Sequence, residues 1–267
     1  MELNTKMIKL IATDMDGTLL DENGKLPKDF FNILEQLNNK NVKFIVASGR
    51  PYPTLYEDFK PISDELYYIC DNGAYIVEKN NPPKVSIINK ELLHDFLISL
   101  EKIDDIQVLL CGLKGAYHLP LKGEELEEIN KYYINKIEVD NLFDIDDDIF
   151  KITICDFKGS ANNSYKILHP IYKDKLMVVV SGDVWLDIMN LGVNKGAALE
   201  EIQNLDNITY EETMAFGDYN NDLEMLDKAY YSFAMENSNN DIKKRANFIA
   251  ESNTKNGVMK AIKKYVL

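Results

Sequence analysis

Two carboxylates one residue apart, Asp14 and Asp16, close the apolar run Ile8-Lys9-Leu10-Ile11-Ala12-Thr13 and are followed by Gly17-Thr18. Ile8, Leu10, Ile11 and Ala12 read as a buried parallel strand. In open α/β sheets, ligands collect at the carboxyl ends of such strands, which is where Asp14 and Asp16 fall. In a turn after a strand, residues two apart can point to the same side. One carboxylate can then attack or bind metal while the other handles protons. Gly17 lets the backbone approach a ligand closely, and its N–H can face an anion. Taken alone, the motif also fits a plain acidic Asp-Gly turn.

Distant partners weigh against the plain turn. Val42 to Ala47 is a second strand-like run, ending in Ser48-Gly49-Arg50. Gly192-Val193-Asn194-Lys195-Gly196 places a lysine between glycines just before the helical stretch Ala197 to Gln203. Met214-Ala215-Phe216 is a short apolar run ending in Gly217-Asp218-Tyr219-Asn220-Asn221-Asp222. An acid pair, a hydroxyl, a lysine and a second acid cluster occur in that order. This set resembles the four motifs of the haloacid dehalogenase superfamily of phosphohydrolases, and most closely its Cof-type branch with a type-IIB cap. Asp71-Asn72-Gly73-Ala74, Ala234-Met235-Glu236-Asn237-Ser238 and Asn256-Gly257-Val258 are further matches. The resemblance covers nearly the whole chain and is thinnest in its middle third.

The resemblance implies an α/β fold, with a Rossmann-like parallel-sheet core and an inserted α+β cap. It implies that Asp14 is the nucleophile forming an aspartyl-phosphate and also a metal ligand. Asp16 would be the general acid and then the base, its backbone carbonyl contacting the metal. Ser48 matches the second motif, Lys195 the third, and Asp218 the metal-ligating acid of the fourth. Asp222 would support the metal, and Asn221 would help bind phosphate. Mg2+ is the implied cofactor. A hydrolase needs a proton donor and then a base at position 16. Ion-pumping relatives carry threonine there and halide-cleaving relatives lack the acid, so Asp16 points to a phosphatase or phosphotransferase.

The physics of phosphoryl transfer calls for such residues. A carboxylate approaching a phosphate dianion at ~4 Å and an effective dielectric of ~20 meets about 8 kcal/mol of repulsion. Cations must cancel this: magnesium takes oxygen ligands, and Lys195 adds a point charge. Ser48, Asn221 and the backbone N–H groups near Met15, Gly17 and Gly49 can donate to phosphate oxygens. Each has a plainer role available. Ser48 suits a turn, Lys195 a solvated helix start, and Asp222 an N-cap for a helix over Leu223 to Lys228. Asn72 and Gly73 read as a structural turn, and Arg50 as either a phosphate clamp or the partner of an acid.

The elements around these motifs alternate in the first third. Pro27 marks a helix start, with Phe30, Ile33, Leu34 and Leu37 at helical spacing. Val42 to Ala47 then makes a β-α-β unit with a right-handed crossover, and Tyr67 to Cys70 and Ala74 to Val77 continue it. Asn80-Asn81-Pro82-Pro83 is a breaker cluster. Beyond it, strand-like runs (Val85 to Ile88, Ile106 to Leu110, Ile152 to Cys155, Met177 to Val180) alternate with helix-like ones (Leu92 to Leu100, Glu124 to Lys131, Ser164 to Tyr172). That texture is α+β. Past Lys195 the expected elements are a helix over Ala197 to Gln203 and strands at Met214 to Phe216, Tyr231 to Ala234 and Phe248 to Ala250. The expected division is a catalytic core of residues 1–83 and 188–267 with a cap of residues 84–187.

At 267 residues, with 45% hydrophobic and 28% charged residues, the chain has the composition of a soluble globular protein with ample core. The net charge of −14 leaves no basic patch for nucleic acid or an anionic membrane. No apolar run reaches the roughly 18 residues needed to span a bilayer, and Met1 to Lys6 lacks a signal pattern. These features predict a cytoplasmic enzyme. Cys70, Cys111 and Cys155 share no CxxC spacing and read as buried thiols. His94, His118 and His169 lie in no nucleophile motif.

The expected substrate is a small phosphorylated metabolite: a sugar phosphate first, with flavin mononucleotide or pyridoxal phosphate behind it. Transfer to a sugar acceptor, as in a mutase, uses the same core residues. A regulatory switch on phospho-Asp14 is the reading from another class. Receiver domains also combine acids with a lysine, but they are half this length. Trp185, Asp187 and Tyr117-His118 are candidate cap contacts, each equally suited to packing. Oligomeric state is not legible.

Overall fold

The computed structural model describes residues 7–79 and 81–267. The N-terminal hexapeptide and Asn80 of the breaker cluster lie outside the described residues. Along the chain come β1 (Leu10–Thr13), α1 (Phe30–Asn39), β2 (Lys43–Ala47), α2 (Tyr52–Asp58), β3 (Tyr67–Cys70) and β4 (Tyr75–Val77). Next are β5 (Lys84–Val85), α3 (Lys90–Leu100), β6 (Ile106–Gly112), β7 (Ala116–His118), α4 (Gly123–Asn130) and β8 (Lys136–Glu138). They are followed by β9 (Ile149–Asp156), α5 (Ser164–Tyr172), β10 (Leu176–Val180) and β11 (Trp185–Asn190). The last stretch holds α6 (Lys195–Asp206), β12 (Thr213–Gly217), α7 (Leu223–Leu226), β13 (Tyr231–Met235), α8 (Asn240–Arg245), β14 (Phe248–Ala250) and α9 (Gly257–Tyr265). Backbone packing sorts the described residues into two compact units. One combines the chain up to Ser48 with Pro61–Pro83 and Asn194–Leu267; the other combines Gly49–Lys60 with Lys84–Val193.

In the first unit the strands run in the order β14-β13-β12-β1-β2-β3-β4. From β14 to β3 every pairing is parallel. β1 is central and buried along its whole length, as expected of a strand covered by helices on both faces. Leu10, Ala12, Ile45, Ala47 and Ile69 pack with Ala198, Leu199 and Ile202 of α6 and with Met225 and Leu226 of α7.

Two local expectations need correction. The helix begins at Phe30 rather than near Pro27. Phe30 N–H first closes a turn onto Pro27 O at 3.0 Å, and only Ile33 N–H to Asp29 O starts the α pattern. The buried face is still Phe30, Ile33, Leu34 and Leu37. The run after Cys70 does not continue the parallel order: β4 pairs antiparallel with β3. The link from Asp71 to Ala74 is four residues long, far short of the crossover a parallel partner requires.

The second unit is built on a sheet in the order β10-β11-β9-β6-β7-β8. Its pairings are antiparallel apart from β7 with β8. One face carries Ile152, Ile154, Leu186 and Ile188 against Phe96, Leu100, Leu168 and Tyr172 of α3 and α5. The alternate residues of β9 and β11 make a buried polar chain: Tyr133 Oη donates to Thr153 Oγ1 (3.1 Å), which donates to Asp187 Oδ1 (2.8 Å). Trp185 Nε1 donates to Glu128 Oε1 at 3.1 Å, and Tyr117 Oη donates to Asp147 Oδ2 at 3.0 Å.

Each histidine also has a packing partner here. His94 meets Phe143, His169 stacks on Tyr165, and His118 Nδ1 lies 2.8 Å from Leu119 O. Arg50 Nη1 lies 2.9 Å from Asp58 Oδ2, an ion pair within this unit. All three cysteines are buried thiols outside any disulfide, and burial, with the charges of Glu128 and Glu125, pushes the Cys155 thiol up to about 12.

Leu10 sits at the centre of the first unit's core with no exposure. Leu10→Ala is expected to cost about 2–5 kcal/mol, the range for a large buried aliphatic truncated where neighbours relax only partly. A urea titration followed by circular dichroism measures it, and a loss under 1 kcal/mol would contradict this packing.

Candidate active site

The chain leaves β1 toward β2 and β3 on one side, and later supplies β12 on the other. Strand order therefore reverses at β1, and in open sheets such a reversal leaves a crevice at the carboxyl ends. Thr13 lies opposite Phe216, and Asp14 N–H donates to Phe216 O at 3.0 Å. Asp14 and Asp218 thus emerge from neighbouring strands at the same end of the sheet.

Lys195 opens α6. Asn194 caps that helix, its Oδ1 accepting from Ala197 N–H at 2.7 Å. The lysine side chain is wholly buried and donates to Asp14 Oδ1 and Asp222 Oδ1, each at 2.7 Å. Asp222 Oδ2 accepts from the N–H groups of Asp218 (3.0 Å) and Tyr219 (3.2 Å). Asp222 does not cap α7 with its side chain; the carboxylate turns back to brace its own loop and Lys195.

Thr18 Oγ1 donates to Asp218 Oδ1 at 2.9 Å, and Asn237 Nδ2 donates to Gly17 O at 2.8 Å. At Gly17, φ is +80° and a Cβ would lie 2.3 Å from Asp218 Oδ2. Only glycine allows that close approach.

Asp14, Asp218 and Asp222 each offer an oxygen, and the three oxygens lie within 4.8 Å of one another. Burial pushes the Asp14 carboxyl well up, with the charges of Asp222 and Asp218 adding to it against the pull of Lys195. Asp218 is pushed up to about 6, by burial and then by Asp222. Burial works against the Lys195 charge, but Asp14 and Asp222 outweigh it and hold the ammonium protonated, above its ordinary value. Three carboxylates facing one ammonium leave a formal charge of −2 when all are ionised. An all-oxygen, net-negative cluster of this kind suits a hard divalent cation.

The other sequence-predicted residues fall around this cluster. Asp16 is exposed, and its side chain is not one of the three clustered carboxylates. Met15 is buried between Asp14 and Asp16. Ser48 is buried at the end of β2, its N–H donating to Ile69 O (2.8 Å) and its carbonyl accepting from Asn72 N–H (3.1 Å). Asn221 Nδ2 donates to Asn72 Oδ1 at 3.0 Å. Gly49 is next in the chain but groups with the second unit. Thr18, Asn72 and Asn237 received no site role from the sequence. All three stood inside or beside quoted motifs, which was the available signal.

A family profile described as haloacid dehalogenase-like hydrolase matches residues 11–262. The chain belongs to that family. As a haloacid dehalogenase-like hydrolase it is an enzyme, and a phosphatase by class. It is 32% identical over 263 residues to 5-amino-6-(5-phospho-D-ribitylamino)uracil phosphatase YbjI of Escherichia coli K12, covering 96% of each chain. A protein of Streptococcus mutans UA159 shares the fold with a TM-score of 0.87 and 32% identity, over 97% of this chain and 98% of that one. A HAD subclass IIB sugar phosphatase, BT4131, shares it with a TM-score of 0.80 at 22% identity, over 96% and 98%. The fold is the α/β one expected: a parallel-sheet core with an α+β cap.

The shifted carboxyls give a pH dependence with a definite sign. An acid raised in the folded state opposes folding once ionised. Its penalty is absent below the unfolded value near 3.8 and complete above about 6 for Asp218. In chelator, Asp218→Asn is expected to melt higher than the parent at pH 8, with the gap closing as pH falls through 6 toward 4. Scanning calorimetry across that range measures it; a parent more stable than the variant at pH 8 without metal would refute the assignment.

Proposed function

We propose that this enzyme hydrolyses a small phosphomonoester through an aspartyl-phosphate on Asp14, with Asp16 as general acid and then base. The observation that carries the reading is the Lys195 ammonium held 2.7 Å from both Asp14 and Asp222, beside Asp218. Lys195 orients the Asp14 carboxylate and offsets its repulsion from the substrate dianion. Asp14, Asp218 and Asp222, with the backbone carbonyl of Asp16, are the groups we assign to Mg2+. When bound, the ion supplies neutralising charge for the phosphate oxygens.

In the first step an Asp14 oxygen forms a bond to phosphorus, the ester P–O bond breaks, and the leaving oxygen takes a proton from Asp16. In the second, Asp16 accepts a proton from water as that water bonds to phosphorus. The Asp14–phosphorus bond then breaks, freeing orthophosphate and the carboxylate. Ser48, Asn221 and the backbone N–H groups of Met15, Gly17 and Gly49 are assigned to the phosphate oxygens.

We assign the first unit to catalysis and the second, with the whole of β11, to a cap that selects the rest of the substrate. Sugar phosphates lead as the substrate class. The E. coli relative is named for a phosphorylated ribityl chain on a pyrimidine, which adds ring-bearing polyol phosphates such as flavin mononucleotide to the screen. Three buried thiols outside any disulfide favour a reducing, cytoplasmic setting. Among the described residues no helix is long and apolar enough to cross a membrane.

Purified protein with Mg2+ and p-nitrophenyl phosphate tests the chemistry. Metal-dependent release of nitrophenol is expected, lost in chelator and in Asp14→Asn. Asp14 labelled stably by acetyl phosphate, with no orthophosphate released, would instead favour the switch.

Asp16→Ala separates proton transfer from binding. It is expected to keep Mg2+ affinity within about twofold and to lose turnover by about 10²–10⁴, the range for general acid–base groups. Near-parental turnover would remove Asp16 from the mechanism.

A further inference from the structure

The link Asp71-Asn72-Gly73 holds three successive left-handed residues, with φ of +49°, +55° and +103°. Asp and Asn tolerate this region better than most residues, yet it still strains a non-glycine backbone. Such a conformation persists where its surroundings over-determine it, and here they do. A Cβ on Gly73 would fall 2.5 Å from the carbonyl oxygen of Asn194, the cap residue that precedes Lys195. Asn72 N–H donates to Ser48 O at 3.1 Å. The Asn72 side chain is 5% exposed, and its Oδ1 accepts from Asn221 Nδ2 at 3.0 Å. This one short link therefore touches the loop after β2, the start of α6 and the loop after β12.

The Asn72–Asn221 contact has a chemical direction. A carboxamide presents an NH2 edge and an oxygen edge, and a half-turn exchanges them. Only the NH2 edge attracts an anion. An acceptor that engages one Asn221 N–H holds the NH2 edge where it is and leaves its second N–H as a donor. Without that acceptor the amide is free to rotate and turn its oxygen toward a phosphate, replacing attraction with repulsion.

We infer that Asn72 is a positioning residue for phosphate recognition: its Oδ1 fixes the rotamer and edge of the Asn221 amide, and its backbone ties that amide to the Ser48 loop. This rests on the phosphatase reading above, with Asn221 as a phosphate donor, and adds the residue that orients it.

The test uses the whole protein with Mg2+ and inorganic phosphate as the probe. Asn72→Gly keeps the left-handed backbone and the N–H to Ser48, and deletes the side chain with its acceptor. It is expected to weaken orthophosphate binding by calorimetry, and to raise KM for p-nitrophenyl phosphate, by about tenfold, as for loss of one hydrogen bond to a charged group. Mg2+ affinity should be unchanged. Asn221→Ala should weaken phosphate similarly, and adding Asn72→Gly to it should weaken phosphate by less than twofold more. A merely structural turn residue would give effects that multiply.

Asn72→Asp is the second variant. It keeps the turn and the Oδ1 acceptor, so Asn221 stays oriented: in this background Asn221→Ala should still weaken phosphate binding by about tenfold, an effect that Asn72→Gly should abolish. Parental phosphate binding in folded Asn72→Gly, multiplicative effects in its double variant, or loss of the Asn221→Ala effect in Asn72→Asp overturns the inference while leaving the phosphatase reading intact. A parent that binds no orthophosphate and cleaves no ester overturns both.

Discussion

A buried ammonium clasped by two buried carboxylates organises the carboxyl end of the parallel sheet. Lys195 reaches Asp14 across 181 positions of sequence and Asp222 across 27. No local preference brings these groups together. Burying an isolated ammonium or carboxylate costs several kcal/mol even after relaxation, and the penalty is offset only when partners and hydrogen bonds are in place. The two contacts, with the backbone donors on Asp222 Oδ2, meet that condition. They lock the end of β1, the start of α6 and the loop after β12 into one register. The same cluster keeps an excess of negative charge, so its geometry suits a divalent ion as well as a lysine.

The rest of the first unit serves this arrangement. A parallel sheet whose order reverses at β1 exposes the ends of β1 and β12 side by side, while α6 and α7 pack on Leu10, Ala12 and Ala215. The loops are braced from behind. Thr18 holds Asp218, Asn237 holds the Gly17 carbonyl, and Asn253 Nδ2 donates to Leu20 O at 2.8 Å. The residues expected to meet phosphate sit on short loops, and rigid strand ends aim them.

The second unit answers to different physics. Its sheet is mostly antiparallel, with one apolar face covered by α3 and α5. Its other face buries Lys151, Thr153 and Asp187, with Lys151 Nζ 4.0 Å from Asp187 Oδ1. The candidate cap contacts Trp185, Asp187, Tyr117 and His118 all have hydrogen-bond partners inside this unit.

The sequence alone determined which residue types close each strand, because strand burial and turn chemistry are local properties. Leu10–Thr13, Lys43–Ala47 and Thr213–Gly217 were legible as apolar runs, and the acids, serine and lysine after them as a set with one chemistry. Three-residue strands such as β7 and β8, and the short helices α2 and α8, were not, since so few residues carry no clear period. The antiparallel turn to β4 was also missed, because a strand-like run does not state its direction of pairing. Only tertiary structure decided that Lys195 spans Asp14 and Asp222, that Asp222 braces its own loop instead of capping α7, and that Asn72 faces Asn221. Those outcomes depend on which buried polar groups find partners once distant segments meet. That condition is set by three-dimensional packing and leaves no mark at any single position in the chain.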